Sequence, residues 1–204
     1  MEPKRTGLKM FDELSAGGIP AGSLIYISTD PSFESERILY QFCSERKTYY
    51  FTTERNPGRI EDEMREAGVN SDNIVVIDLR ETLDKGKEII SAVKDAEMDF
   101  NIIIDTFLPF LRDYPFIKAL SELCIDKESL CFLCVPKNSC SEELSSRLSY
   151  ICDVFFDIRV ERVGNEIVAS FAVPKIRCGS PLMRYVRLKI IPGGVEIDTS
   201  RDIV

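Results

Sequence analysis

The sequence predicts an α/β fold, a mainly parallel sheet covered by helices on both faces and extended by antiparallel C-terminal strands. Three observations carry this. Short, unbroken apolar runs recur through the first two thirds of the chain, segments of helical pattern separate them, and beyond about residue 150 the pattern becomes alternating.

In chain order the parallel strands are expected at SLIYIS (23–28), TYYFTT (48–53), IVVID (74–78), NIIID (101–105) and LCFLCV (130–135). A strand buried on both faces has no solvent side, so it reads as continuously hydrophobic. Helices near 34–46, 57–67, 84–96, 113–126 and 141–149 supply the crossovers that parallel pairing requires. DVFFDIRVER follows from 153. VFFDIRVERVGNEIVASFAVPKI and MRYVRLKIIPGGVEI then alternate apolar with polar residues around GN and PGG turns, as antiparallel edge strands do. No internal repeat, low-complexity tract or long linker interrupts the 204 residues, which suit one core, so a single domain over 1–204 is expected.

Composition narrows the functions available. With 44% hydrophobic and 29% charged residues the chain reads as an ordinary globular protein, and no apolar run approaches the roughly 20 residues of a membrane span. The opening MEPKRTGLKMFDEL is charged and lacks an apolar leader core, so a cytoplasmic protein is expected, with no membrane partner. A net charge of −8 opposes phosphate neutralisation, and direct nucleic-acid binding is not expected. The absence of histidine removes the usual general base and imidazole metal ligands. Seven cysteines, an odd number, read as reduced thiols. CFLC (131–134) has the spacing of a redox or zinc motif, yet strand alternation sends positions i and i+3 to opposite faces, which favours packing.

TGLKMFDELSAGGIPAGSLIYIS closely resembles the opening of RecA-fold ATPases of the KaiC-like branch. The matching positions are Thr6, Gly7, Asp12, Leu14, Gly17, Gly18, Ile19, Pro20, Gly22 and Ser23, with Phe11 where leucine is common. YYFTTERNPGRIEDEMREAGV is similar to the strand that carries the family's catalytic acid. FNIIIDTF looks like Walker B, ICDVFFDIRVE like a later strand, VPKIRCGSP like the K-x-R-G segment and GGVEIDTS like the usual ending. The resemblance spans almost the whole chain and implies a RecA-like three-layer sandwich.

It also locates a phosphate loop and tests it. Counting from Ser28, Thr29, Ser32 and Glu34 stand at the loop's glycines, Ser35 at its lysine and Glu36 at its magnesium-binding threonine. Gln41 and Phe42 match the following QF and anchor the count. A phosphate loop needs small residues, so that successive amides converge on oxygen, and a lysine as a point charge. A carboxylate about 4 Å from a phosphate charge is repelled by about 4 kcal/mol at an effective dielectric of about 20. Micromolar affinity is only about 8 kcal/mol in total. Arg37, one residue further on, either reaches a phosphate, pairs with Glu34 or Glu36, or points to solvent on the helix. Those two glutamates can themselves fill an anion site at a helix start.

Of the remaining apparatus, Asp105 stands at the Walker B position and either places magnesium or serves structure. Glu54 matches the first acid of the family's pair, and Arg55 replaces the second. Lys175 and Arg177 match cations that the family projects into a neighbouring subunit, and they read either as such contacts or as solvated cations on an edge strand. FLPFLRDYPF (107–116) reads as core packing or a protein contact surface. The reading that results is a catalytically inactive RecA/KaiC-like domain with a degenerate Walker A loop. It is expected to need no cofactor and to act as a regulatory or signalling module through a protein partner or self-association. The alternatives are an atypical ATPase using ATP and Mg2+ through its divergent loop, and an accessory to DNA recombination.

Overall fold

The computed structural model describes residues 2–191 and 194–198. In order, the elements are β1 (Pro3–Lys4), α1 (Lys9–Leu14), β2 (Ile19–Pro20), β3 (Leu24–Thr29), α2 (Glu36–Phe42), β4 (Thr48–Thr52), α3 (Pro57–Glu66), β5 (Ile74–Asp78) and α4 (Lys85–Val93). Then follow β6 (Asn101–Ile104), α5 (Tyr114–Lys127), β7 (Leu130–Pro136), α6 (Glu142–Ile151), β8 (Val154–Val163), β9 (Glu166–Ile176), β10 (Leu182–Ile191) and β11 (Gly194–Asp198). Pro192 and Gly193 of the expected PGG turn, and Thr199 and Ser200 of the closing GGVEIDTS, lie outside the described residues.

Nine strands form one sheet in the order β11-β10-β9-β8-β3-β7-β6-β4-β5. β3 through β8 pair in parallel, and β8 to β11 pair antiparallel. The change of pairing falls where the sequence changes from unbroken to alternating apolar runs. Apolar side chains of α1, α2 and α3 cover one face, and those of α4, α5 and α6 cover the other. This is the three-layer α/β sandwich expected. The period-2 argument holds at CFLC, where Cys134 packs into the first core and Cys131 into the second. Phe107, Phe110 and Phe116 pack ring against ring within the second core, so that stretch is core packing.

Two details depart from expectation. α1 was not foreseen, being only six residues long. α2 ends at Phe42, not near 46, because the next turn tightens: the Cys43 amide takes the Tyr40 carbonyl, and Ser44 takes the Gln41 carbonyl through both amide and hydroxyl. The Thr6-Gly7 and Asp12 pairing has a structural use. Buried Asp12 accepts the Thr6 amide at 2.9 Å, the Thr6 hydroxyl at 2.8 Å and the Gly7 amide at 3.2 Å. Gly7 has φ of +90°, and a Cβ there would lie 2.6 Å from the Gln41 carbonyl oxygen. Asp12→Ala leaves these buried donors unpaired and is expected to lower unfolding free energy by about 2–4 kcal/mol, measured by urea denaturation.

Candidate functional site

The carboxyl ends of β3, β4 and β6 meet on one edge of the sheet, where open α/β sheets bind ligands. The loop from Thr29 to Arg37 leaves β3, Glu54 sits in the turn after β4, and Asp105 follows β6. The fold therefore brings all of these expected site residues together. Lys175 and Arg177 lie at the other end of the strands. Lys175 Nζ donates to the carbonyls of Ser149 (2.7 Å), Tyr150 (3.0 Å) and Cys152, closing the C-terminus of α6. Its pKa is held low by burial and by Arg177. Arg177 pairs at 3.2 Å with Asp153, whose second oxygen takes the Leu24 amide at 3.0 Å. Both cations have partners within the chain.

The β3–α2 loop satisfies much of its own backbone. Thr29 closes β3, and its carbonyl accepts the Lys137 amide at 2.7 Å. Asp30 accepts the Ser32 amide at 3.0 Å and the Ser32 hydroxyl at 2.5 Å, bonds that lower its pKa. The Phe33 amide donates to Asp30, the Ser35 amide to Phe33, the Arg37 amide to Glu34 and the Ile38 amide to Ser35. These amides are taken up by carbonyls of the loop itself. No residue from Thr29 to Arg37 takes a positive φ, the conformation that glycines supply to an anion-binding nest. Ser35 is buried, and its side chain makes no capping bond to α2. Arg37 pairs with Glu34 at 2.5 Å.

Phe33 holds the loop down. It is 8% exposed and belongs to the first core, together with Ile38, Leu39 and Phe42 of α2. Sequence reasoning passed over it, although it is the one large apolar residue in TDPSFESER.

Arg55 is the centre of a second group that the sequence did not reveal. Its guanidinium donates to the Tyr40 hydroxyl at 2.9 Å and to Glu63 of α3, which also accepts the Tyr40 hydroxyl at 2.7 Å and Arg59 at 2.9 Å. Burial pushes the Glu63 carboxyl up, but its hydrogen bonds to Arg55, Tyr40 and Arg59 outweigh this and hold it below the usual range. Burial, with the hydrogen bond to Glu63, pushes the Tyr40 phenol up. Arg55 precedes α3 and Arg59 and Glu63 lie on it, and the packing of α2 beside α3 adds Tyr40.

A cleft of about 810 Å³ opens between the loop and α3. Five glutamates (Glu34, Glu36, Glu54, Glu63, Glu66) and three arginines (Arg37, Arg55, Arg59) line it. Each of these arginines is paired with a lining glutamate, Arg37 with Glu34 and the other two with Glu63. The excess charge is negative.

Asp105, just after β6, is 6% exposed and accepts the Thr53 amide at 3.3 Å, while its Oδ2 has no hydrogen-bond partner. Burial is the main cause that raises its pKa to about 6. On the next strands, Asp157 gathers Lys137 (2.6 Å), Arg159 (3.1 Å) and the Tyr185 hydroxyl. The Arg159 guanidinium lies 4.1 Å from the centroid of the Tyr185 ring. Among the described residues no cluster of three or more acidic, cysteine or histidine side chains could hold a metal ion, and no helix is long and apolar enough to cross a membrane.

Comparison with known proteins agrees with this architecture. A family of unknown function, DUF7125, matches residues 4–204. No curated protein matches the chain. Among solved structures, the KaiC-like protein PH0186 from the hyperthermophilic archaeon Pyrococcus horikoshii OT3 superposes with a TM-score of 0.77. The match has 15% identity and covers 97% of this chain and 99% of that one. At that identity the likeness establishes the fold.

Proposed function

Since the chain belongs to the DUF7125 family, whose function is unknown, its role is read from its own residues, and we propose a KaiC-like pseudo-ATPase that acts through protein contacts as a regulatory module. One observation carries this reading: the loop that would cradle phosphate bonds to itself and faces a cleft with excess negative charge. A magnesium triphosphate does not fit such residues. The amides of Phe33, Ser35 and Arg37 are engaged within the loop, and no residue there takes the positive φ of a phosphate nest. Each uncompensated carboxylate close to a phosphate adds about 4 kcal/mol of repulsion, and micromolar binding is only about 8 kcal/mol. The arginines already have carboxylate partners, so recruiting one to phosphate would leave its glutamate unpaired.

The competing reading, an ATPase with a divergent loop, is favoured by one feature, the unpartnered Oδ2 of Asp105 at the end of β6. A thermal-shift titration separates the two. Up to about 5 mM Mg-ATP is expected to leave the melting temperature unchanged, since a ligand raises stability by RT ln(1 + [L]/Kd). An upward shift of several degrees that disappears in Asp105→Ala would refute the proposal.

A further inference from the structure

The cleft that rejects phosphate carries the charge for a different guest. Arg37 is held by Glu34, and Arg55 and Arg59 are both held by Glu63. Among the described residues this leaves Glu36, Glu54 and Glu66 of the same walls without an ion-pair partner. Carboxylates at a surface are satisfied by water and by themselves call for nothing. Asp105 is different. It is more than nine-tenths buried, and its Oδ2 has no hydrogen-bond partner. A buried carboxylate is costly unless it is paired.

The direction of Asp105 follows from the strand before it. Ile103, two residues earlier, packs into the first core, so alternation turns Asp105 to the face that α2 and α3 cover. The cleft opens on that face. Arg55 and Glu54, both in its walls, are the charged side chains that act on Asp105. Its own charge acts on Cys134 and Tyr50 of the first core. The Tyr50 hydroxyl is a second buried group without a partner there.

The chemistry of the guest follows from the arrangement of these acids. It is cationic, and its charges are separated. Among the described residues no three acids stand close enough to share one metal ion, so a single ion does not answer them. A chain of cationic side chains does, and a guanidinium can bond a carboxylate through two N–H groups at once. A second copy of this chain is a poor source, because Lys175 and Arg177 are already engaged on their own molecule. The cleft of about 810 Å³ lies within the range of pockets that enclose a ligand. The net charge of −8 draws a basic partner in over a distance.

We propose that the cleft takes a basic segment of a partner protein, with one arginine or lysine directed at Asp105 and its neighbours meeting Glu54 and Glu66. This rests on the pseudo-ATPase reading and names the chemistry of the partner. The two fail separately. A thermal shift with Mg-ATP refutes that reading whether or not a basic peptide binds. A chain that binds neither refutes the docking alone.

Fluorescence anisotropy of a fluorescein-labelled hexa-arginine peptide, titrated with the full chain at about 0.15 M salt, tests the docking. Saturable binding in the micromolar range is expected. The double change Glu54→Gln and Glu66→Gln is expected to weaken it about tenfold or more, with an unchanged circular dichroism spectrum. Asp105→Asn, which keeps the shape of the side chain, is expected to weaken it about fivefold. Glu81→Gln with Glu97→Gln removes the same charge from exposed positions outside the cleft and is expected to change binding by less than about twofold. An equal loss in that distant pair would show that net charge alone attracts the peptide, and would overturn the proposal. Asp105→Asn binding like the wild type overturns it too, as does no binding up to several hundred micromolar. Spermine separates a protein segment from a free polyamine. It is expected to displace the peptide only in large excess, and spermine binding as tightly as the peptide overturns the assignment to a protein.

Discussion

Asp105→Asn is expected to raise the stability of the fold at pH 7.5 by about 1–3 kcal/mol and to lose that gain on acidification. The carboxyl is buried at the end of β6, with Oδ1 on the Thr53 amide and Oδ2 unpartnered. Its pKa rises from 3.8 to about 6, chiefly through burial. The sign follows from proton binding. Between about pH 4 and pH 6 the folded chain holds a proton that the unfolded chain has released, so stability falls as pH rises through that window. Above about pH 6 the whole penalty is present. Two pKa units correspond to about 3 kcal/mol, an upper bound for the asparagine, whose amide must still find a partner. Urea denaturation followed by tyrosine emission, in a chain without tryptophan, gives the gain at pH 4, 5, 6 and 7.5. An equal gain at all four values, or a loss at pH 7.5, would sink the account.

The layers of the fold were legible because each parallel strand is buried on both faces, and burial on both faces leaves an unbroken apolar run. The antiparallel extension was legible through alternation, and the opposite destinations of Cys131 and Cys134 through the two-residue period of a strand. α1 escaped because six residues barely exceed one helical turn and a half. At the site, the resemblance to KaiC-like ATPases located Glu54 and the positions of the loop and Asp105, and the last two also follow apolar strands, where topology places a site. It did not show what each side chain touches. Arg55 reaches Glu63 along α3 itself, but the Tyr40 hydroxyl joins the pair only when α2 packs beside α3, and no local pattern encodes that meeting. Lys175 shows the same limit in reverse. Two cations on an edge strand read either as subunit contacts or as solvated charges, and neither reading foresees the three carbonyls of its own molecule that Lys175 meets after α6.

Phe33 carries the second large expectation, because it decides whether the β3–α2 loop can be rebuilt. Phe33→Ala is expected to lower unfolding free energy by about 3–4 kcal/mol, the usual loss for a large aromatic removed from a core, and Phe33→Leu by less than half of that. The local effect is separable from the global one. The Phe33 carbonyl takes the Ser35 amide and its own amide holds Asp30, so releasing the ring frees both turns. Amide exchange from Ser32 to Glu36 is expected to accelerate well beyond the change seen in β3. A loop rebuilt with Ser32→Gly, Glu34→Gly, Ser35→Lys and Glu36→Thr removes the carboxylates and restores a cation. With Phe33 still buried, that loop remains pinned to the core, and no Mg-ATP thermal shift is expected. Adding Phe33→Ala to the same four changes is expected to produce a shift, provided the fold tolerates the loss. Binding by the four-fold variant with Phe33 intact would show that charge alone, and not the anchored shape of the loop, excludes phosphate.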